Sequence, residues 1–304
     1  MSQTSSAADR VYLVTGGNTG IGYFTAEQLA GTGATVVLGC RSAQRAEAAM
    51  EAIRARVPGA RVRSVGLDLT DLGSLRGTAE SLEVERLDAV VHNAGVLVEG
   101  LERGETRDGH ELHFATNHLG HFALTHWLLP LLQAAPSARV VTVGSFAAKS
   151  ERIDLDDLQS RTGYRAKRTY GRSKLAQMYF GLELDRRLRA ADCTVSSVVV
   201  HPGGALDSLT PSRPPVHVRE AGAALRGAAA GLVLQGKHAG ARPAVRAVLD
   251  PRIAGGELWG PRLFGLRGRP HRERLWAQLE DAETARRLWQ ASTELTGVAP
   301  AATI

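Results

Sequence analysis

The chain has 304 residues, 43% of them hydrophobic, with a formal charge of +6 and a sequence pI near 9.7. That apolar share excludes a disordered chain or a fibre, and the length holds a substantial core as one large α/β domain or two small ones. The positive charge is nearly all arginine, scattered without a block of five like charges, which argues against a nucleic-acid binder and leaves room for a polyanionic small molecule.

Apolar β-branched runs alternate with amphipathic segments. Val11–Thr15 reads as a first strand and Ile21–Thr32 as a helix closed by Gly33. Ala34–Gly39 is a second strand, followed by a helix from about Ser42 to Val57 and a Pro58-Gly59 turn. Arg61–Leu67 and Leu72–Leu82 form the next strand and helix, and Leu87–His92 a fourth strand. Glu111–Leu132 is a long helix, Arg139–Gly144 a fifth strand, Tyr170–Ala190 another long helix and Thr194–Val200 a sixth strand. Val-rich strands of this kind are buried on both faces, the mark of a parallel sheet built from right-handed βαβ units. The pattern predicts an α/β fold: a single doubly wound, Rossmann-type parallel sheet of about seven strands with helices on both faces.

After the sixth strand the pattern changes. Gly203–Val218, with Pro211, Pro214 and Pro215, reads as a loop that could act as a lid. Glu220–Gln235 is a helix candidate, Gly256–Trp259 a seventh strand, and Arg272–Leu295 a helix anchored by Leu275, Leu279, Leu288 and Trp289. No segment reaches the length of a membrane span; Phe122–Leu132 is short and holds Pro130. The polar N-terminus lacks an apolar signal region. Cys40 and Cys193 sit beside apolar runs and read as thiols of a reducing compartment. The expected address is the cytoplasm.

Between the first strand and helix stands Thr15-Gly-Gly-Asn-Thr-Gly-Ile-Gly22. Glycines there permit positive φ and let a pyrophosphate approach the backbone, while the helix start offers free N–H groups and its positive dipole end. An ordinary strand-to-helix turn is the alternative. Arg41 follows the second strand, where an NAD site usually carries an acidic residue. It can pair with the 2′-phosphate of NADP, or it is a solvated surface arginine. Asp68-Leu69-Thr70 and Asn93-Ala94-Gly95 close the third and fourth strands, where ligands of open α/β sheets bind. Tyr170 and Lys174 are four apart, hence on one helix face, and a nearby ammonium favours the phenolate.

The T-G-x-x-x-G-x-G glycines Gly16, Gly20 and Gly22 resemble the short-chain dehydrogenase/reductase family. The resemblance implies a catalytic tetrad of Asn117, Ser145, Tyr170 and Lys174, with the asparagine holding a water in the proton relay. It implies cofactor contacts from Gly16, Asn18, Thr19, Gly20, Ile21, Gly22, Arg41, Asp68, Leu69, Asn93, Ala94, Gly95, Tyr170, Lys174, Pro202 and Gly203. The cofactor expected is NADPH/NADP+, and no metal site is expected.

Ser145 precedes Tyr170 by 25 residues, and the gap holds Ile153-Asp-Leu-Asp-Asp-Leu158. With Gly39-Cys-Arg41, Asn117-His-Leu-Gly-His-Phe122 and His201-Pro-Gly203, this is similar to the branch of retinol dehydrogenases, WW-domain oxidoreductases and protochlorophyllide reductases.

The implied function is NADPH-dependent reduction of a ketone or aldehyde, with Tyr170 as proton donor; a tailoring ketoreductase of secondary metabolism is a further option, suggested only by the arginine- and alanine-rich composition. The alternatives are an alcohol or retinol-like dehydrogenase working in oxidation, and an NADP-binding sensor or scaffold without turnover. The resemblance also implies one domain, residues 203–304 covering the substrate, and a homodimer or homotetramer built on the two long helices.

Two positions depart from the family. Gly144 replaces the serine usual before Ser145. Asp207 stands where Thr or Ser commonly bonds the nicotinamide carboxamide; it substitutes, Ser208 shifts into register, or the loop folds differently. The histidines 113, 118, 121 and 126 read as structural or subunit-facing, and Trp259 could line a cleft.

Overall fold

The computed structural model describes residues 7–298, apart from 99, 101, 220, 221, 223–226, 228 and 229. In chain order the elements begin with β1 (Val11–Thr15), α1 (Gly20–Ala30), β2 (Thr35–Cys40), α2 (Ala43–Arg56), β3 (Arg61–Gly66), α3 (Leu75–Glu80) and β4 (Ala89–His92). A π-helical turn, Ala115–Leu119, leads into α4 (Gly120–Gln133). Then come β5 (Arg139–Val143), α5 (Ala166–Ala190), β6 (Ser196–Val200), the two-residue strands β7 (Ala205–Leu206) and β8 (Gln235–Gly236), and α6 (Arg242–Leu249). The chain ends with β9 (Leu258–Leu263), β10 (Arg267–Glu273) and α7 (Ala282–Thr296).

The main sheet has eight strands in the order β10-β9-β6-β5-β4-β1-β2-β3. All neighbours are parallel except β10 and β9. From β1 the chain builds outward through β2 and β3, then returns to β4 on the other side of β1. This reversal opens a crevice at the carboxyl ends of β1 and β4. Strand periodicity divides the core. Tyr12 and Val14 face α1, α2 and α6, whereas Leu13 packs with α4 and α5 on the opposite face.

The C-terminal third departs from the sequence reading. The strand expected at Gly256–Trp259 is β9, and it pairs with an additional antiparallel strand, β10, which contains Arg272 and Glu273. The helix expected from Arg272 therefore starts only at Ala282. There the Asp281 carboxylate caps the N–H groups of Glu283 and Thr284. β10 reads R-G-R-P-H-R-E, a polar edge strand with no apolar alternation, which is why its period carried no strand signal. Half of the helix expected over Glu220–Gln235 lies outside the described residues; its described end is a 3-10 turn, Ala230–Leu232, and then β8. Among the described residues no helix is long and apolar enough to cross a membrane.

Candidate active site

The crevice holds a cavity of about 680 Å³, a usual size for a small-molecule or cofactor site. Gly16, Asn18, Thr19, Gly20 and Ile21 line it at the start of α1, Arg41 at the end of β2, Asp68 and Leu69 after β3, and Asn93, Ala94 and Gly95 after β4. Gly16 and Gly20 adopt φ of 64° and 58°. A Cβ on Gly22 would strike the Gly16 carbonyl oxygen, so Gly22 serves the turn's packing rather than the cavity wall.

The turn is locked to β4 by Thr15. Its hydroxyl oxygen accepts the N–H groups of Asn93 at 3.0 Å and Ala94 at 2.9 Å. The Asn93 amide in turn donates to the Thr15 carbonyl at 2.9 Å. The Asp68 carboxylate is bonded by Thr70, through both its N–H at 2.9 Å and its hydroxyl at 2.7 Å.

At the β2 end the cavity is also lined by Ser42 and Arg45, which the sequence reading missed. Ser42 caps α2, accepting from the Arg45 N–H at 3.3 Å. Arg45 stands in the first turn of α2, just after the Ser42 cap, a position at a helix start that could have revealed it. Two guanidiniums, a serine hydroxyl and the start of a 14-residue helix form a wall suited to a phosphate.

The four tetrad residues come from three segments. Ser145 follows β5 and caps a 3-10 turn, accepting from the Ala147 N–H at 3.2 Å. Tyr170 and Lys174 stand one turn apart on α5, which begins four residues before the tyrosine. A hydrogen bond with Ser145 pulls the Tyr170 phenol down, but burial outweighs it, and the net effect is a rise above 10. Lys174 is buried, and desolvation lowers its ammonium to about 7. The expected lowering of the tyrosine by the lysine is thus not what the structure displays; burial dominates both groups.

The Lys174 ammonium donates to the Val143 carbonyl at 3.1 Å and the Gln177 side-chain oxygen at 2.9 Å. Asn117 sits in the π-helical turn with its side chain fully buried. Its amide oxygen accepts the Val96 N–H at 2.8 Å, and its NH₂ donates to Ser173 Oγ at 2.9 Å and the Val96 carbonyl at 3.2 Å. Asn117 therefore clamps the Gly95–Val96 loop against α5. Gly95 is packed between them: a Cβ there would lie 3.0 Å from both Asn117 Oδ1 and Lys174 Nζ.

Pro202 and Gly203 lie after β6, outside the lining of the main cavity. The Asp207 carboxylate is engaged by Lys237 at 2.5 Å and by His217 at 3.7 Å, so it ties down the loop after β6. Gly144 is explained by Met178: a Cβ would fall 2.6 Å from its Cγ and Sδ. The Trp259 indole donates to Glu257 at 2.8 Å and Arg246 stacks over its ring. Three of the histidines on 113–126 are tied to protein partners. His113 bridges Glu111 and the Val98 N–H, His118 meets Ser292, and His121 meets Thr15.

The short-chain dehydrogenase family model matches residues 10–210, the segment that carries the glycine turn and all four tetrad positions. The chain belongs to the short-chain dehydrogenase family. This family's fold binds a nicotinamide cofactor, and the chain is an oxidoreductase of that kind. It is 35% identical over 292 residues to human retinol dehydrogenase 13, covering 95% of this chain and 85% of that one. It is 37% identical to mouse polyprenol dehydrogenase, covering 95% and 84%. Among solved structures it is similar to an uncharacterised protein from Mycobacterium paratuberculosis, with 36% identity, a TM-score of 0.76 and 96% and 95% coverage. It is also similar to Pseudomonas aeruginosa RhlG in an NADP active-site complex, at 27% identity, a TM-score of 0.61 and 85% and 96% coverage.

Proposed function

We propose that this short-chain dehydrogenase uses NADPH to reduce a ketone or aldehyde to an alcohol. The cleft residues fit the cofactor: Gly16 and Gly20 leave room beside the α1 amides for a pyrophosphate, and Arg41, Ser42 and Arg45 would hold the 2′-phosphate. When bound, the nicotinamide would supply the hydride that the substrate carbonyl carbon takes up. The Ser145 hydroxyl steadies the carbonyl oxygen as negative charge develops. Tyr170 gives its proton to that oxygen. Lys174 would hold the nicotinamide ribose, and it stabilises the tyrosinate left behind. Asn117 fixes the loop beside the lysine. In this reading residues 1–304 are one domain, and 203–304 cover the substrate.

The observation that carries this reading is the cleft wall of Arg41, Ser42 and Arg45, whose two guanidiniums suit the 2′-phosphate of NADPH, with Tyr170 on α5 as the proton donor. NADPH consumption against a panel of ketones, aldehydes and quinones tests the reading. Oxidation of a long-chain alcohol is the second reading, favoured by the relatives named as retinol and polyprenol dehydrogenases. NADP+ reduction with such alcohols, faster than carbonyl reduction across the pH range, would favour it.

A further inference from the structure

Beneath the tetrad lies a polar string that none of the roles above requires. Gln177 is fully buried on α5, three residues after Lys174. Its side-chain oxygen accepts from the ammonium at 2.9 Å, and its NH₂ donates to the His92 carbonyl at 3.2 Å. The same NH₂ lies 3.2 Å from His121 Nδ1. His121 Nε2 is 2.9 Å from the Thr15 hydroxyl, the group that locks the glycine turn to β4. The string thus runs from the catalytic lysine to the cofactor turn.

A buried ammonium is costly unless acceptors replace its water. Among the described residues no carboxylate lies within ion-pair distance of Lys174. Its recorded protein acceptors are the Val143 carbonyl and Gln177. The titratable groups facing it are Tyr170 on its own helix, His121 on α4 and His92 at the end of β4. Burial drives His92 down to about 3 and holds His121 well below its ordinary value, so neither is a competing cation. Gln177 cannot rotate freely, because its NH₂ is held by the β4 carbonyl.

We propose that Gln177 is the positioning residue of Lys174: anchored on the His92 carbonyl, its amide oxygen aims the ammonium and keeps it protonated. This rests on the reading of Lys174 as the tetrad lysine. Gln177 touches neither substrate nor cofactor in this account and acts through the lysine.

The chain has four lysines, 149, 167, 174 and 237, so lysine side chains labelled with ¹³C give a spectrum of four resolvable signals. Lys174→Met assigns the signal of interest. Titration of the full chain without substrate compares wild type, Gln177→Met and Gln177→Glu. The Met variant keeps the volume and removes the acceptor; the Glu variant adds a charge. The midpoint of Lys174 should fall in the first and rise in the second, each by about one pH unit or more. Unchanged midpoints in both variants overturn the proposal. If Gln177→Met does not fold, Gln177→Glu decides alone: an upward shift supports it and no shift overturns it. A purely structural glutamine would lower stability in both without moving the titration in opposite directions. Absence of NADPH turnover in the wild type would sink the functional reading separately, because the titration does not depend on it.

Discussion

The Ser145 hydroxyl lies close enough to the Tyr170 phenol to favour its ionised form, across the 25 residues that separate them in the chain. The end of β5 delivers one and the second turn of α5 the other, and the phenol holds its proton through burial. Tyr170→Phe removes the donated proton and leaves the ring. Its kcat should fall by about 10²–10⁴-fold while NADPH affinity, read by fluorescence, stays within about twofold. Equal turnover would remove Tyr170 from the mechanism.

Arg41 and Arg45 approach the cleft from β2 and the first turn of α2. Each charge-assisted contact to a 2′-phosphate is worth about 1.5–3 kcal/mol, so Arg41→Ala should weaken NADPH binding by about 10–100-fold and leave NADH nearly unchanged. Arg45→Ala should act in the same direction. Titration calorimetry with both nucleotides checks this; an unchanged NADPH-to-NADH ratio in both variants would contradict the phosphate wall.

Lys174 gives a stability prediction with a definite sign. Its ammonium is lowered to about 7 in the fold against an ordinary 10.5. Between those values the unfolded chain holds a proton that the folded chain has released. Stability therefore rises with pH across that window, and below pH 7 the full cost of burying the charge remains. The melting-temperature advantage of Lys174→Met over wild type should be greatest below pH 7 and shrink toward pH 10. A difference that is flat with pH would contradict the lysine's burial as a charged group.

Helix α7 covers the two helices that the family resemblance assigns to a subunit interface. Trp289 packs edge-on to Phe122 of α4 at 4.9 Å and stacks on Phe180 of α5 at 5.7 Å, under the Arg187 guanidinium. Ser292 bonds His118 in the π-helical turn at 2.7 Å. The large hydrophobics that are exposed among the described residues lie elsewhere, at Leu97, Val98, Val218, Leu232, Val233, Leu263 and Phe264. We expect a monomer of 32.4 kDa by sedimentation, against the homodimer or homotetramer that the family resemblance implies. Trp289→Ala should cost about 3–5 kcal/mol and expose that seam to self-association. A wild-type dimer closed through α4 and α5 would contradict this.

The first two hundred residues were legible because each strand carries its apolar run and each turn its glycine or cap. Thr15, Asn93 and Gly16 fall where the T-G-x-x-x-G-x-G and Asn-Ala-Gly motifs put them. The protonation balance was not legible: sequence places Tyr170 and Lys174 on one face, but only the packing around them reveals how strongly burial acts on both groups. Gln177 was invisible for the same reason, since a glutamine on a helix announces nothing until its partners are seen. The β9–β10 hairpin escaped because an edge strand of arginines and a proline has no apolar period. Asp207 looked like a defect in a cofactor contact; its carboxylate instead meets Lys237 and His217.

The central claim is NADPH-driven carbonyl reduction with Tyr170 as the proton donor. The most direct measurement follows NADPH absorbance with wild type and Tyr170→Phe on a panel of ketones, aldehydes and quinones, both proteins being saturated with cofactor. The account predicts turnover of at least one carbonyl by the wild type and loss of it in the variant despite bound NADPH. Turnover by both proteins at the same rate, or by neither on any carbonyl while the wild type oxidises alcohols with NADP+, would contradict it.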